Sequence, residues 1–401
     1  MRKIGSFFLL ILTITILSLG LTSCGEETVT LNVYNWGEYI SDGSEGSLNV
    51  NEAFESYYLE TYGVRIKVNY TTYASNEDMY AKLKSGATAY DVIIPSDYMI
   101  QRLIAEGMLA ELDFTNIPNY EYIVEDFRNQ YYDPNNLYSI PYTYGMVGII
   151  YNTGMVDEAD TGTWNLMWNE KYEGKILQFN NSRDAFGTAM YRLGIDVNTR
   201  DEAEWRTATE ALKVQKPLVQ SYVMDEIFNK MKGESGAIAA YYAGDFLSMY
   251  DANNNLAFFY PKEGTNVFVD AMCIPANSVQ KEIAERYINF MLSHEIAVAN
   301  AEYICYASPN KQVIEDPDYI EYMNSMHENA MEILYPTEKV PASYYQNLSA
   351  DTLSMLNGLW EELKIESSGG EGVYICSAVI VVLLTVWFTF LFIRKKYRDN
   401  Y

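Results

Sequence analysis

Leu31-Asn32-Val33-Tyr34-Asn35-Trp36-Gly37-Glu38-Tyr39 is the stretch that decides how the chain is read. Leu31, Val33 and their neighbours alternate as a buried first strand does. Asn35, Trp36 and Gly37 then break the strand and leave Trp36, Glu38 and Tyr39 at its carboxyl end. In open α/β sheets that end is where ligands bind. An aromatic face, a carboxylate and a phenol so close together suit an organic cation, through cation–π attraction and charge-assisted hydrogen bonds. The same residues also fit an ordinary buried Trp beside a solvated Glu, since aromatics near strand ends are common.

Outward from this stretch, strands and helices alternate. Asn49 to Tyr62 predicts a helix stopped by Gly63, and Val64 to Tyr70 predicts a half-buried strand. Asn76 is read as the cap of a helix through Lys84, with Gly86 closing it. Asp91 to Pro95 is a short buried strand, followed by Ser96, Asp97 and a helix from Tyr98 to Glu106. The order predicts an α/β layer with a largely parallel sheet. Ile140 to Gly145 interrupts the pattern and reads as a crossover between domains, with a new strand starting at Met146. Further strands are expected at 175–179, 256–261 and 267–275, with 180–184 leading into a helix to Leu193 and another helix at 201–214. Asp270 interrupts the apolar run Val267-Phe268-Val269-Asp270-Ala271-Met272-Cys273-Ile274. A buried, unpaired acid is costly there, so Asp270 either reaches solvent at the strand end or awaits a cation.

The totals bound the class. The 401 residues suffice for two domains, and 49% apolar residues supply a large core and exclude general disorder. The 36 Tyr offer flat amphipathic contact surface. A formal charge of −26 repels nucleic acid and favours cationic partners. Cys24 and Cys376 lie in the terminal segments, and Cys273 and Cys305 sit in apolar contexts, as free thiols or as a disulfide. His294 and His327 are the only His, and no metal-ligand spacing, HExxH, GxSxG or phosphate loop is present. No metal, no cofactor and no enzymatic activity are therefore expected.

Both ends point to a membrane. Arg2-Lys3 precedes an apolar run from Phe7 to Leu21, so 1–23 reads as a signal peptide. Leu21-Thr22-Ser23-Cys24-Gly25 resembles a bacterial lipobox, which makes Cys24 the lipidated first residue of the mature protein. Residues 366–372 read as a linker, and 373–393 as a transmembrane helix. Arg394-Lys395-Lys396-Tyr397-Arg398 marks 394–401 as a cytoplasmic tail. The central region is thus expected on the outer face of the cytoplasmic membrane.

Tyr34-Asn35-Trp36-Gly37-Glu38-Tyr39 resembles the opening of the extracytoplasmic spermidine/putrescine-binding proteins of ABC importers. Tyr73 to Leu83, Tyr90 to Ser96, Asp133 to Tyr142, Pro261 to Gly264, Ile274 to Asn277 and Ser308 to Asn310 continue the resemblance in order. It covers roughly Leu31 to Glu362. It implies a type II-like periplasmic-binding-protein fold, two α/β lobes with the ligand in the cleft between them. The first lobe would be 29–143 with 270–314, and the second 144–269 with 315–365. Carried over by position, the first lobe offers Trp36, Glu38, Tyr39, Ser96, Tyr98, Asp270 and Tyr306 to the ligand. The second offers Asp184, Tyr242 and Gln346, with Phe268 on the strand leading to Asp270. Carboxylates would fix ammonium ends and aromatic faces would line the methylene chain.

The chain departs from the family at several of these positions. Gly37 stands where the family often has a hydroxyl residue, and Asn181 where the spermidine branch has an acid. Asp184 is one methylene shorter than the usual Glu, and Tyr242 and Phe268 replace Trp. Asp245 lies where the putrescine branch has an acid, or is a plain surface carboxylate. The implied function is capture of putrescine or spermidine for an ABC permease. A polyamine-sensing ectodomain working through a partner, and a receptor for another small cationic solute, are the alternatives.

Overall fold

The computed structural model describes residues 28–365. In chain order the strands are β1 (Val29–Trp36), β2 (Ile66–Tyr73), β3 (Val92–Ile93), β4 (Ser139–Asn152), β5 (Ile176–Phe179), β6 (Val219–Val223), β7 (Ile238–Tyr242), β8 (Leu256–Phe259), β9 (Thr265–Cys273) and β10 (Ala342–Ser343). The described chain falls into two compact units. The first runs to Met146 and adds Tyr242–Ala252 and Val267–Glu338, and the second holds Val147–Tyr241, Asn253–Asn266 and the chain from Lys339.

In the first unit β1 lies between β2 and β3, parallel to both, with Val29 opposite Ile66 and Val33 opposite Val92. β9 then pairs antiparallel with β3 and with β4. Helix Val50–Tyr62 covers this sheet for reasons readable in its ends. The Asn49 side chain accepts from Glu52 N, and Gly63 closes the helix at φ 68°, a left-handed value that costs glycine little. Val50, Phe54 and Tyr58 repeat at helical spacing and are all buried, with the Phe54 ring edge-on to Tyr287 at 5.0 Å. The core continues through Leu31, Val33, Ile66, Val68, Met272 and Ile288.

In the second unit β5 pairs in parallel with β6 and β7, and β4 pairs antiparallel with β8. Helices Ser182–Leu193 and Glu202–Gln215 bring Phe186 and Trp205 together at 5.6 Å. A buried chain of amides ties them to the sheet. Gln178 Nε2 donates to Thr188 Oγ1 and to Gln215 Oε1, and Gln215 Nε2 donates to Met167 O.

Two expectations are corrected. No new strand starts at Met146: Ile140 to Gly145 lies inside the continuous strand β4, where a bulge between Pro141 and Thr143 absorbs the irregular sequence, and the chain passes from the first unit to the second after Met146. The cap at the next helix is Ser75, whose side chain accepts from Asp78 N, so Asn76 is free to work elsewhere. Cys273 and Cys305 are both buried free thiols, the first of the two states their apolar contexts allow. Among the described residues no helix is long and apolar enough to cross a membrane. The expected signal peptide, Cys24, linker, transmembrane helix 373–393 and tail lie outside the described residues.

Candidate ligand-binding site

The first unit gathers most of the candidate side chains around Asp270. This residue sits in β9 with 4% of its surface exposed. Thr143 of β4 is its ladder partner, and Ser96 forms a bridge with it from the other side. Tyr39 Oη donates to Asp270 Oδ2 at 2.6 Å and also meets Thr143 Oγ1. Tyr39 has one proton and spends it on the carboxylate, so Thr143 is the donor to Tyr39. Burial, and then the charge of Asp270, push the Tyr39 phenol well above its ordinary range, which keeps it a neutral donor.

The turn after β1 places Tyr39. Asn35 is fully buried; its Oδ1 accepts from Trp36 N and its Nδ2 donates to Tyr39 O. Glu38 takes φ 48° and is exposed, while Tyr39 turns back into the protein. Trp36 stays half-buried, its indole N–H donating to Ile94 O and its ring against Tyr73 at 4.7 Å. Its orientation is fixed with part of the ring still accessible.

A second aromatic group flanks Asp270. Tyr306 stands edge-on to Tyr39 at 5.0 Å and lies 6.2 Å from Phe268, which is edge-on to Tyr242 at 5.2 Å. Tyr306 Oη donates to Asp245 Oδ2 at 2.9 Å, and Asp245 is buried in the first turn of helix Ala243–Ala252. Two backbone features hold Tyr306 there. Cys305 closes helix His294–Ile304 at φ 58°, and Gly244 leaves space, since a Cβ at 244 would come within 2.3 Å of the Tyr306 ring. Burial pushes the Cys305 thiol up to about 12, so the cysteine beside the site is inert.

Ser96 and Tyr98 begin helix Asp97–Ala105 and are held from helix Asn76–Ser85. Asn76 Nδ2 donates to Ser96 Oγ and to Tyr98 Oη, and Tyr98 Oη donates to Glu77 Oε1. Asn76, Thr143 and Gly244 were not singled out from sequence as site residues. The sequence marks the first as a cap and the second as part of a crossover, and nothing local marks the third.

The second unit carries Asp184 and Gln346. Asn181 caps helix Ser182–Leu193 by accepting from Asp184 N at 2.8 Å, and its Nδ2 donates to Asp184 Oδ2 at 2.7 Å. Asn181 is thus a clamp that orients the shorter acid. Gln346 is exposed, and Asn198 fixes its backbone by accepting from its N–H. Arg183 donates to Asn198 Oδ1 and Gln346 O, with its guanidinium 4.4 Å from the Tyr345 ring. Gly187 allows this packing, because a Cβ there would meet the Tyr345 hydroxyl at 2.1 Å. Among the described residues no group of His, Cys, Asp and Glu is arranged to hold a metal ion.

Residues 52–326 match the family described as bacterial extracellular solute-binding protein. The spermidine/putrescine-binding periplasmic protein of Escherichia coli is 35% identical over 297 residues, 73% of this chain and 82% of that protein. A solved structure from Listeria monocytogenes, provisionally assigned to spermidine/putrescine ABC transport, matches with TM-score 0.74 at 32% identity, over 84% of this chain and 99% of that one. The spermidine/putrescine ABC transporter substrate-binding protein PotD of Streptococcus pneumoniae matches with TM-score 0.65 and 32% identity over the same shares. The α/β two-lobed fold expected from the sequence is supported by these neighbours. With the family match spanning most of the described chain, the protein belongs to the bacterial extracellular solute-binding proteins, a family of binders rather than enzymes.

Proposed function

We propose that this protein captures a linear di- or triamine, putrescine or spermidine, outside the cytoplasm and delivers it to an ABC permease. The observation that carries the reading is Asp270, a carboxylate inside an otherwise apolar strand, oriented by Tyr39 and flanked by Phe268 and Tyr306. An ammonium group is the natural partner of such an acid, and aromatic faces stabilise both the charge and the methylene chain. In this reading Asp270 anchors one ammonium and Trp36 supplies the flat face. Glu38, Tyr39, Ser96, Tyr98, Tyr242, Phe268, Tyr306 and Gln346 complete the lining, and Asp184 and Asp245 set the length preference. The names of the relatives reported above, which are spermidine/putrescine-binding or -transport proteins, support the same ligand class.

The reading includes attachment to the membrane, by a lipid on Cys24 and by a helix over 373–393. A thermal-shift panel on the full chain in detergent tests the ligand class. A ligand that binds only the folded state at a hundred times its Kd adds about 2.7 kcal/mol of stability. Putrescine or spermidine should raise Tm. Stabilisation by amino acids or sugars, with none from polyamines, would overturn the reading.

A further inference from the structure

Helix His294–Ile304 supports both tyrosines that meet edge-on in the first unit. Its C-terminal end delivers Tyr306, through Cys305 at φ 58°. Its middle reaches the turn that carries Tyr39, through Asn300. Asn300 is 2% exposed, and its Oδ1 accepts from Ser41 N at 3.0 Å. Ser41 lies two residues after Tyr39 and is fully buried. The polyamine reading gives Asn300 no role.

The other bonds of Ser41 stay local. Its Oγ donates to Leu48 O at 2.6 Å, and its carbonyl accepts from Val50 N at 3.1 Å. The Ser44 and Tyr303 hydroxyls also join this loop to the helix, but in an exposed contact where water competes. Asn35 Nδ2 and Tyr142 Oη both donate to Tyr39 O and hold it from the sheet side. Asn300 is therefore the buried fastening between the turn and the helix. Its chemistry fits that task. Among the described residues Asn300 Nδ2 finds only Met291 Sδ, at 3.8 Å, and a thioether is a weak acceptor. The amide oxygen is the atom in use.

We propose that Asn300 is a positioning residue for the ligand site: it locks the turn 37–41 onto the helix that precedes Tyr306, and so fixes where Tyr39 presents its hydroxyl to Asp270. It touches no ligand and acts through Tyr39. This rests on the polyamine reading of the site. A cavity of about 10 Å³, lined by Thr143, Asn300, Ile304, Tyr306 and Ser308 among others, decides which substitution is informative. Truncating Asn300 to Ala would enlarge this cavity and let a water replace the amide as acceptor for Ser41 N. Leu removes the acceptor and keeps the space filled.

Titration calorimetry of the full chain in detergent with putrescine tests this. Asn300→Leu should weaken binding by about tenfold, the weight of one hydrogen bond. Asn300→Asp keeps an oxygen for Ser41 N and should bind within about threefold of the unaltered chain. In a Tyr39→Phe background, where the hydroxyl to be positioned is gone, Asn300→Leu should cost less than about threefold. A merely structural Asn300 would cost the same factor in both backgrounds. On the unaltered chain, exchange of the Ser41 amide hydrogen should slow when putrescine binds, because the ligand holds the turn against local opening. Undiminished binding by Asn300→Leu, equal losses in the two backgrounds, an Asn300→Asp loss as large as that of Asn300→Leu, or a Ser41 amide whose exchange bound putrescine leaves unchanged would overturn this proposal alone. Failure of putrescine to bind the unaltered chain would overturn the polyamine reading and this proposal together. The exchange measurement stands even if the variants fail to fold.

Discussion

Tyr39 Oη donates to Asp270 Oδ2 at 2.6 Å, joining two residues 231 positions apart in the chain. The bond ties the turn after the first strand to the middle of β9 and gives the buried carboxylate a fixed direction. Hydrogen bonds to charged groups contribute about 1.5–3 kcal/mol, and a buried acceptor that loses its donor costs a similar amount. Tyr39→Phe should therefore lower stability by about 2 kcal/mol. Urea denaturation of the two proteins checks this, and an unchanged midpoint would show that the bond adds nothing.

The same geometry ranks the ligand contacts. Removing one partner of a buried ion pair costs about 3–5 kcal/mol, and losing a desolvated cation–π contact costs about 2 kcal/mol. Asp270→Asn should weaken putrescine binding more than Trp36→Ala does, with the circular dichroism of both variants unchanged. Calorimetry decides the order. An Asp270→Asn variant that binds like the unaltered protein would remove Asp270 from the anchor role.

Much of the scaffold was legible because its signals are local. Asn49 and Gly63 bracket a helix by capping chemistry, and the apolar spacing of Val50, Phe54 and Tyr58 declares its buried face. Asp270 stood out as the one acid in an apolar run. The supports of these residues were not legible, because they depend on pairing across long sequence distances. Thr143 serves Tyr39 only because β4 runs unbroken beside β9, and the bulge that keeps it unbroken disguised the strand. Asn76 carries an ordinary capping residue's chemistry, yet Ser75 takes the cap and Asn76 turns to Ser96.

Gly244 is a support no local pattern marks. A Cβ there would lie 2.3 Å from Tyr306 Cδ2 and 2.8 Å from Cys305 O, and the backbone cannot yield as a side-chain tip could. Gly244→Ala should cost about 1–3 kcal/mol through overpacking and should weaken putrescine binding by displacing Tyr306. Gly358→Ala, in helix Ala350–Ile365 where the added methyl meets open space, should stabilise by about 0.5–1 kcal/mol. Thermal melts of the pair give the test; two shifts of the same sign would contradict it.

Anchoring has its own test. With a basic flank after Ile393, the C-terminus is expected in the cytoplasm. A Cys added after Tyr401 should resist an impermeant thiol reagent in intact cells and react after lysis. Efficient labelling of intact cells would reverse the orientation. Deleting 372–401 should leave ligand binding unchanged, with some protein released into the medium, because a single lipid chain holds only reversibly.

Asp245 offers the sharpest test of ligand length. Tyr306 Oη donates to its Oδ2 at 2.9 Å, and Asp245→Asn keeps an oxygen that can accept this bond while removing the charge. The fold around Tyr306 should therefore survive, which isolates the electrostatic contribution. In the second unit Asn181 supplies no charge of its own and instead orients Asp184. On the proposed reading, the absence of an acid at 181 and its presence at 245 favour the shorter diamine. Asp245→Asn should weaken putrescine by about 1.5–3 kcal/mol, the range for hydrogen bonds to charged groups, and spermidine by less. Calorimetric titration of both amines into both proteins measures the difference. Equal losses for the two ligands, or none for either, would take the length preference away from Asp245.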